Sequence, residues 1–313
     1  MKLIHEDYSA ESLRLATIWV FSIWLAKILS DSIPLISLLP YAVYEPVGMI
    51  RAIPGPLREI LLGSGVLAAL KALVIASLLA TVATMALDIR ALRRTRGRPG
   101  GESLNRGLLW LAPPVAASLL LTLYEGLFRG YAGHISHEDT VLLYATYLLS
   151  AFPVADYIAR RSNKFDASAN LNQIAIVAVL LTLCATYTVV GTYRILHGGI
   201  GIFGTNSLTY WALRNTIDVL RPWVGWGFVL IDYPIAEQIF KLGFPIITIF
   251  EFLAPLSLVF LRFRILFLAT FISFHIATLL FMDVVFRETL ALYLLFLDPV
   301  KITDWIRARV RGA

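Results

Sequence analysis

Charge and cysteine are both scarce in this chain. Only 15% of its 313 residues are Asp, Glu, Lys or Arg, whereas 58% are hydrophobic. Soluble domains have about 25% charged residues, so the composition argues against a soluble fold. The single cysteine, Cys184, excludes an intrachain disulfide and a cysteine-based metal site. The glycines at 198–201 do not lead into Gly-Lys-Ser or Gly-Lys-Thr, so they do not form a phosphate-binding loop.

Apolar runs recur along nearly the whole chain, and most are long enough to cross a bilayer. A membrane-spanning helix needs about 20 predominantly apolar residues. We therefore predict an all-α fold, a polytopic helix bundle that forms a single transmembrane domain over residues 1–313. The expected number of spans is eight, with seven as the alternative because the last run is short. The predicted spans are residues 13–38, 65–87, 107–127, 141–157, 171–192, 243–261, 265–285 and 289–300.

The positions of arginine and lysine predict the orientation of these spans. The basic loop 88–106 contains six arginines, and more cations follow the fourth span, join the sixth to the seventh, and end the chain at 301–313. Because cytoplasmic loops carry an excess of Lys and Arg, we predict a multi-pass protein of the cell membrane with both termini cytoplasmic. The net charge of +6 is explained by this asymmetry, and no nucleic-acid partner is predicted.

Three further segments have a distinct character. The polar stretch 1–11 and the long first span do not fit a cleavable signal, so we expect the first span to stay as an anchor. The aromatic segment 194–242 is assigned to the outer face, either as interfacial helices or as a lid over a substrate cavity. The basic amphipathic end 301–313 is expected on the anionic cytoplasmic leaflet or on another protein.

Short motifs occur in a fixed order along the chain, within these spans and between them. Together they resemble the membrane domain shared by vitamin K-dependent gamma-carboxylase and its bacterial relatives, the horizontally transferred transmembrane domain family. The resemblance covers most of the chain and rests on Arg14 in the first span, the Tyr-Glu-Pro-Val-Gly turn at 44–48, Gly-His-Ile-Ser-His-Glu-Asp at 133–139, Pro-Val-Ala-Asp at 153–156, Tyr187 to Arg194, Trp211, Glu251, Ser-Phe-His-Ile at 273–276, and Leu-Phe-Leu-Asp at 295–298.

One departure limits what the resemblance implies. In the carboxylase, a lysine near the end of the fifth span is the base that activates reduced vitamin K, and the matching position here is Arg194. Arginine stays protonated in proteins, so it cannot abstract that proton. Gamma-carboxylation is therefore not expected of this chain.

Ionisable groups inside apolar spans are costly, so they are candidates for function. Glu251 and His275 fall at similar depth if the sixth and seventh spans are adjacent and antiparallel. We predict them as the candidate catalytic pair, handling a proton. The alternative is an interhelical hydrogen bond that only fixes packing. Lys27 and Lys71 are read either as counter-ions or as side chains that extend to the interface.

A second candidate site lies on the predicted outer face. Arg129, His134, His137, Arg194 and His197 are all expected there, and together they form a candidate pocket for an anionic or quinone-like headgroup. The candidate cofactors are a quinone and a bound phospholipid. The spacing of the two loop histidines is too weak a signal for a metal site, and none is predicted.

Two hypotheses for function remain from the sequence, and they leave open whether the chain is an enzyme. The favoured one is a non-catalytic integral membrane subunit with a carboxylase-like fold, which binds lipid or scaffolds a larger membrane complex. Its partners are then membrane lipids and other membrane subunits. The alternative is a membrane enzyme that acts on a quinol or lipid at the outer leaflet without the lysine base. A transporter is disfavoured because the halves of the chain show no repeat.

Overall fold

The computed structural model describes residues 8–32, 44–95, 111–132, 137–161, 168–199, 201, 207–218, 226–284 and 286–311. These residues are mostly helical and include no strand, which confirms the predicted all-α class. Thirteen α-helices lie within them. In chain order they are α1 Ala10–Ser30, α2 Gly55–Leu62, α3 Ser64–Thr95, α4 Ala112–Arg129, α5 His137–Arg161, α6 Ser168–Gly198, α7 Ser207–Asp218, α8 Val229–Asp232, α9 Pro234–Phe252, α10 Leu256–Val259, α11 Leu261–Met282, α12 Arg287–Tyr293 and α13 Pro299–Arg311.

Four of these helices are long and apolar enough to cross a membrane. They coincide with the first, second, fifth and seventh predicted spans. A shorter apolar helix, Asp139–Ala155, lies within α5 at the fourth predicted span. The membrane character of the chain is thus supported, whereas the count of eight spans and the side of each terminus stay predictions. The four candidate spans are Ala10–Ser30, Ser64–Arg94, Leu171–Gly198 and Leu261–Met282.

Two of the other predicted spans are interrupted in the structure. The run 243–261 is divided between α9, which ends at Phe252, and the short α10, with Pro255 at the start of α10. A proline lacks an N–H and disfavours helix in the residue before it, which explains a break here. The run 289–300 is divided in the same way, because α12 ends at Tyr293 and a 3₁₀ turn, Leu294–Phe296, precedes α13.

The chain divides into two compact units. The large unit consists of Glu6–Val179 and Leu294–Ala313, and the small unit consists of Met1–His5 and Leu180–Tyr293. The large unit therefore contains α1 to α5, the first part of α6, and α13. The small unit contains the rest of α6 and α7 to α12.

In the large unit, polar contacts at both ends of α1 set the direction of its neighbours. Near the start of α1, Arg14 Nε donates to Oδ2 of Asp88, towards the end of α3, at 2.9 Å. At the other end of α1, the Asp31 carbonyl accepts from Lys71 Nζ, near the start of α3, at 2.7 Å. Helices α1 and α3 are therefore antiparallel. Arg14 also donates to Asn172 Oδ1 at 3.2 Å, which joins the start of α6 to the same end of α1.

The same end of α1 also holds α13. Ser12 Oγ donates to Asp298 Oδ1 at 2.7 Å, and the Tyr8 hydroxyl donates to the Leu295 carbonyl at 2.8 Å. Asp298 Oδ1 in addition accepts from the backbone N–H of Val300, in the first turn of α13. These buried bonds fix where α13 begins, while most of its side chains remain exposed.

In the small unit, the second half of α6 packs against aromatic side chains of α11. The Tyr187 ring lies 4.5 Å from the Phe271 ring and 6.0 Å from the Phe267 ring, measured between centroids. One turn earlier, the buried Cys184 has its Sγ 3.6 Å from Ser257 Oγ. This apolar packing surrounds the polar groups considered next.

Candidate functional site

An ion pair with a buried carboxylate joins α6 to α9 in the small unit. A single Nη1 of Arg194 donates to both carboxylate oxygens of Glu251, at 2.8 Å and 2.7 Å. The guanidinium carbon lies 5.2 Å from the centre of the Phe244 ring. Only 4% of the Glu251 side chain is exposed, against 29% for Arg194. The Glu251 carboxylate is buried in an apolar setting, where an unpaired charge is costly. The partly exposed Arg194 guanidinium neutralises that charge.

A glycine permits this close approach of α6 and α9. A Cβ at Gly191 would lie 2.5 Å from the backbone nitrogen of Phe252 and 2.9 Å from Glu251 Cβ. Real Cβ atoms do not approach other atoms that closely, so a larger residue at 191 would push the helices apart. Gly191 therefore helps to place Arg194 and Glu251 within hydrogen-bond distance.

His275 of α11 belongs to a different buried group. Its Nε2 lies 2.9 Å from the Tyr293 hydroxyl and 3.4 Å from the Tyr187 hydroxyl. The two hydroxyls are also hydrogen-bonded to each other. An imidazole and two phenols joined in this way can pass a proton along the group, and they equally well satisfy one another's polar atoms in an apolar core.

The structure thus gives the two predicted catalytic residues different direct partners. Glu251 bonds to Arg194, and His275 bonds to the tyrosine hydroxyls. Arg194 was assigned to the outer-face pocket in the sequence analysis and is here the ion-pair partner of Glu251. The role of Glu251 and His275 as a catalytic pair stays a prediction.

The other members of the predicted outer-face pocket fall in several places. Arg129 lies in the large unit, where its Nε is 3.1 Å from Glu125 Oε2. His197 is exposed in the small unit, with Nδ1 donating to the Tyr193 carbonyl at 2.9 Å and its ring 3.9 Å from the Tyr193 ring. His134 lies outside the described residues, and His137 begins α5 with a side chain that is also outside them.

Lys27 is the clearest case in which the structure selects one of two sequence readings. It is buried and forms an ion pair with Asp139, at the start of the apolar part of α5. Lys27 is therefore a counter-ion. Asp139 therefore pairs with a cation of another helix from its position in the first turn of α5.

An apolar cavity of about 650 Å³ lies in the small unit between α9 and α11. Phe240 and Ile247 line one side and Phe274 and Phe281 the other. Among the described residues that line it, the polar side chains are Thr270 and Ser273. Its volume falls within the range of ligand pockets, about 300–1,000 Å³. The composition suits a hydrocarbon chain better than a charged headgroup.

In the parts of the chain that the structure describes, no group of three or more His, Cys, Asp or Glu side chains is arranged to hold a metal ion. Comparison of the chain with family models, with characterised proteins and with solved structures finds no match.

Sequence reasoning missed the tyrosines that bond His275. Tyr187 was named in the sequence analysis only as the first residue of a motif, and Tyr293 was not named there. The available signal was modest: a tyrosine inside an apolar run needs a partner for its hydroxyl, and each of these has one.

Proposed function

We propose that the chain is a non-catalytic integral membrane subunit with a carboxylase-like membrane fold, which binds lipid and scaffolds a larger membrane complex. The resemblance to the carboxylase family supplies the fold, and the position that matches its catalytic lysine is Arg194. What this side chain contacts therefore bears most directly on function.

The observation that carries the proposal is the Arg194–Glu251 ion pair. Arginine cannot act as a base, and both oxygens of the nearest carboxylate already accept from its guanidinium. A carboxylate that neutralises a guanidinium in this way is held in place by the opposite charge. The pair instead satisfies two charges in an apolar region, as a structural contact between α6 and α9 does.

The cavity between α9 and α11 supports the lipid part of the proposal. It opens beside α11, a candidate membrane span, and its lining is apolar apart from two hydroxyls. The occupant that fits this lining is the hydrocarbon chain of a membrane lipid, because burial of apolar surface contributes about 25 cal/mol per Å² and needs no polar partner.

Purification from the native membrane tests the proposal. The tagged chain is extracted in nanodiscs and all co-purifying proteins and lipids are quantified by mass spectrometry. A matched sample carries Ser273→Trp, which fills the cavity. We expect at least one protein partner in fixed stoichiometry with both forms, and a bound lipid that is depleted in the variant. A chain that purifies without any protein partner contradicts the proposal.

A second candidate function is favoured by one specific observation. The buried His275, Tyr293 and Tyr187 group is able to move a proton, as an enzyme acting on a quinol or lipid requires. Under this reading, Tyr293→Phe abolishes turnover of an added quinol by the purified protein while Tyr147→Phe, a tyrosine of α5 in the large unit, does not. A bound quinone in the purified wild-type protein supports this candidate over the first.

A further inference from the structure

Five ionisable side chains converge in the large unit at the end of α1. Lys27 belongs to α1 and Asp31 follows its last residue, Glu125 and Arg129 belong to α4, and Asp139 belongs to α5. Three of them are at least nine-tenths buried, with exposures of 8% for Lys27, 1% for Glu125 and 5% for Asp139. So many charges in a buried place must be paired or protonated.

The cations of this cluster are committed to two of the three carboxylates. Lys27 donates to Asp139. Arg129 Nε donates to Glu125 Oε2 at 3.1 Å and lies 3.5 Å from Asp139 Oδ2. None of these three contacts involves the carboxylate of Asp31. Its acidic group therefore adds a negative charge that the two cations do not directly pair.

A third cation, Lys71 of α3, also faces this end of α1. Its Nζ donates to the backbone carbonyl of Asp31 at 2.7 Å and so caps the helix. It is the backbone of Asp31, and not its carboxylate, that receives this bond. Through this contact Lys71 therefore supplies no donor to the Asp31 carboxylate.

Several buried polar atoms here have no hydrogen-bond partner in the described residues. They are Oδ2 of Asp31, Oε1 of Glu125 and Nε1 of Trp24, while the Tyr124 hydroxyl lies near enough to Asp31 to favour its ionised carboxylate. Glu125 and Tyr124 are neighbours on α4, and both are at least 99% buried. A buried acceptor left unmet costs about 1–3 kcal/mol. Two carboxylate oxygens without donors thus mark a place where a proton would be held.

We propose that this cluster is a proton-binding site, in which Asp31 and Glu125 hold one exchangeable proton beside the Tyr124 hydroxyl. A protonated carboxyl is both donor and acceptor, so one proton supplies the O–H donor that the unmet oxygens lack. It also removes one of three negative charges from a buried region. The site accepts a proton and releases it with the pH of the aqueous phase at this end of α1.

The electrostatics of Asp31 agree with this assignment. Burial, and secondly repulsion from Glu125, together raise the pKa of Asp31 from 3.8 to about 6, although Arg129, Lys27 and the Tyr124 hydroxyl act in the opposite direction. The folded chain therefore binds a proton more tightly than an unfolded chain would. The resulting stabilisation is complete below the unfolded value of 3.8 and is lost as pH rises through about 6.

Infrared difference spectroscopy of the full chain in nanodiscs tests the site. The sample is titrated from about pH 8 to about pH 4, across the ordinary range of buried carboxyls, and the C=O band of protonated carboxyl groups is followed. We expect one band that grows with a midpoint near pH 6. Asp31→Asn should remove it, and Glu125→Gln, which takes away the repulsion, should move its midpoint to lower pH. Asp304→Asn changes an exposed carboxylate of α13 and should leave it unchanged.

Two further measurements guard against misfolded variants and against a metal ion. Tyr124→Phe removes a group that favours ionised Asp31, so it should keep the band but move its midpoint to higher pH. Exchanging potassium for sodium should not move the midpoint. The proposal is overturned if the band survives Asp31→Asn, if Glu125→Gln leaves its midpoint unchanged, if no band titrates between pH 8 and 4, or if sodium displaces the proton.

Discussion

The unequal burial of Arg194 and Glu251 leads to an unequal cost of removing either one. Replacing Arg194 with Met leaves a carboxylate whose side chain is 4% exposed, without its cation. Removing one partner of a buried ion pair costs about 3–5 kcal/mol. Replacing Glu251 with Met leaves a cation whose side chain is 29% exposed and has a long flexible stem. That guanidinium can reach the polar surface, so the cost should be nearer about 1 kcal/mol.

The double variant tests whether the pair is structural. With Met at both positions no charge remains, and apolar replacement of a buried pair is often neutral. We expect the double variant to be within about 1 kcal/mol of the wild type and more stable than Arg194→Met alone.

Thermal unfolding in detergent, followed by the helical circular dichroism signal, measures the three variants. The reasoning is refuted if Glu251→Met is the more damaging single change, or if the double variant loses as much stability as the two single variants combined.

Three other predictions concern close packing and the last helix. Gly191→Ala should lower the free energy of unfolding by about 1–3 kcal/mol, because its Cβ would lie 2.5 Å from a backbone nitrogen of α9. The control Gly243→Ala places its Cβ in open space, so in the same thermal assay it should be neutral or stabilise the protein by up to about 1 kcal/mol. Gly227→Ala should also destabilise the protein, because its Cβ would lie 2.7 Å from a carbonyl oxygen of α7. This prediction is checked by an unfolding temperature lower than that of the Gly243→Ala variant. Trp305, 61% exposed on the basic α13, should be quenched by brominated lipid more strongly in anionic than in neutral bilayers, and equal quenching would speak against surface binding.

The sequence predicted the helical class, and four of its eight predicted spans coincide with long apolar helices, because both features depend on local composition. It did not predict the break near Pro255. The proline is visible in the sequence, but the apolar residues around it continue the hydrophobic run, so composition alone favoured one span.

Pairings across helices were the least predictable feature. Lys27 was read either as a counter-ion or as a side chain that extends to the interface, and nothing local identifies its partner Asp139, which lies more than 100 residues away. Glu251 and His275 were matched by depth alone, an estimate that does not specify which face of each helix they occupy. Asp31 was not predicted as a site residue because it lay inside the first predicted span, residues 13–38, whereas the helix ends at Ser30.

The composition of the complex formed by the apolar double variant tests the central claim most directly. The wild type and the variant with Met at 194 and 251 are purified in parallel from native membranes, and the stoichiometry of co-purifying proteins is measured. A structural pair in a non-catalytic subunit predicts the same partners in the same ratio for both. A wild-type chain that purifies alone with a bound quinone, and loses it in the variant, would contradict the account.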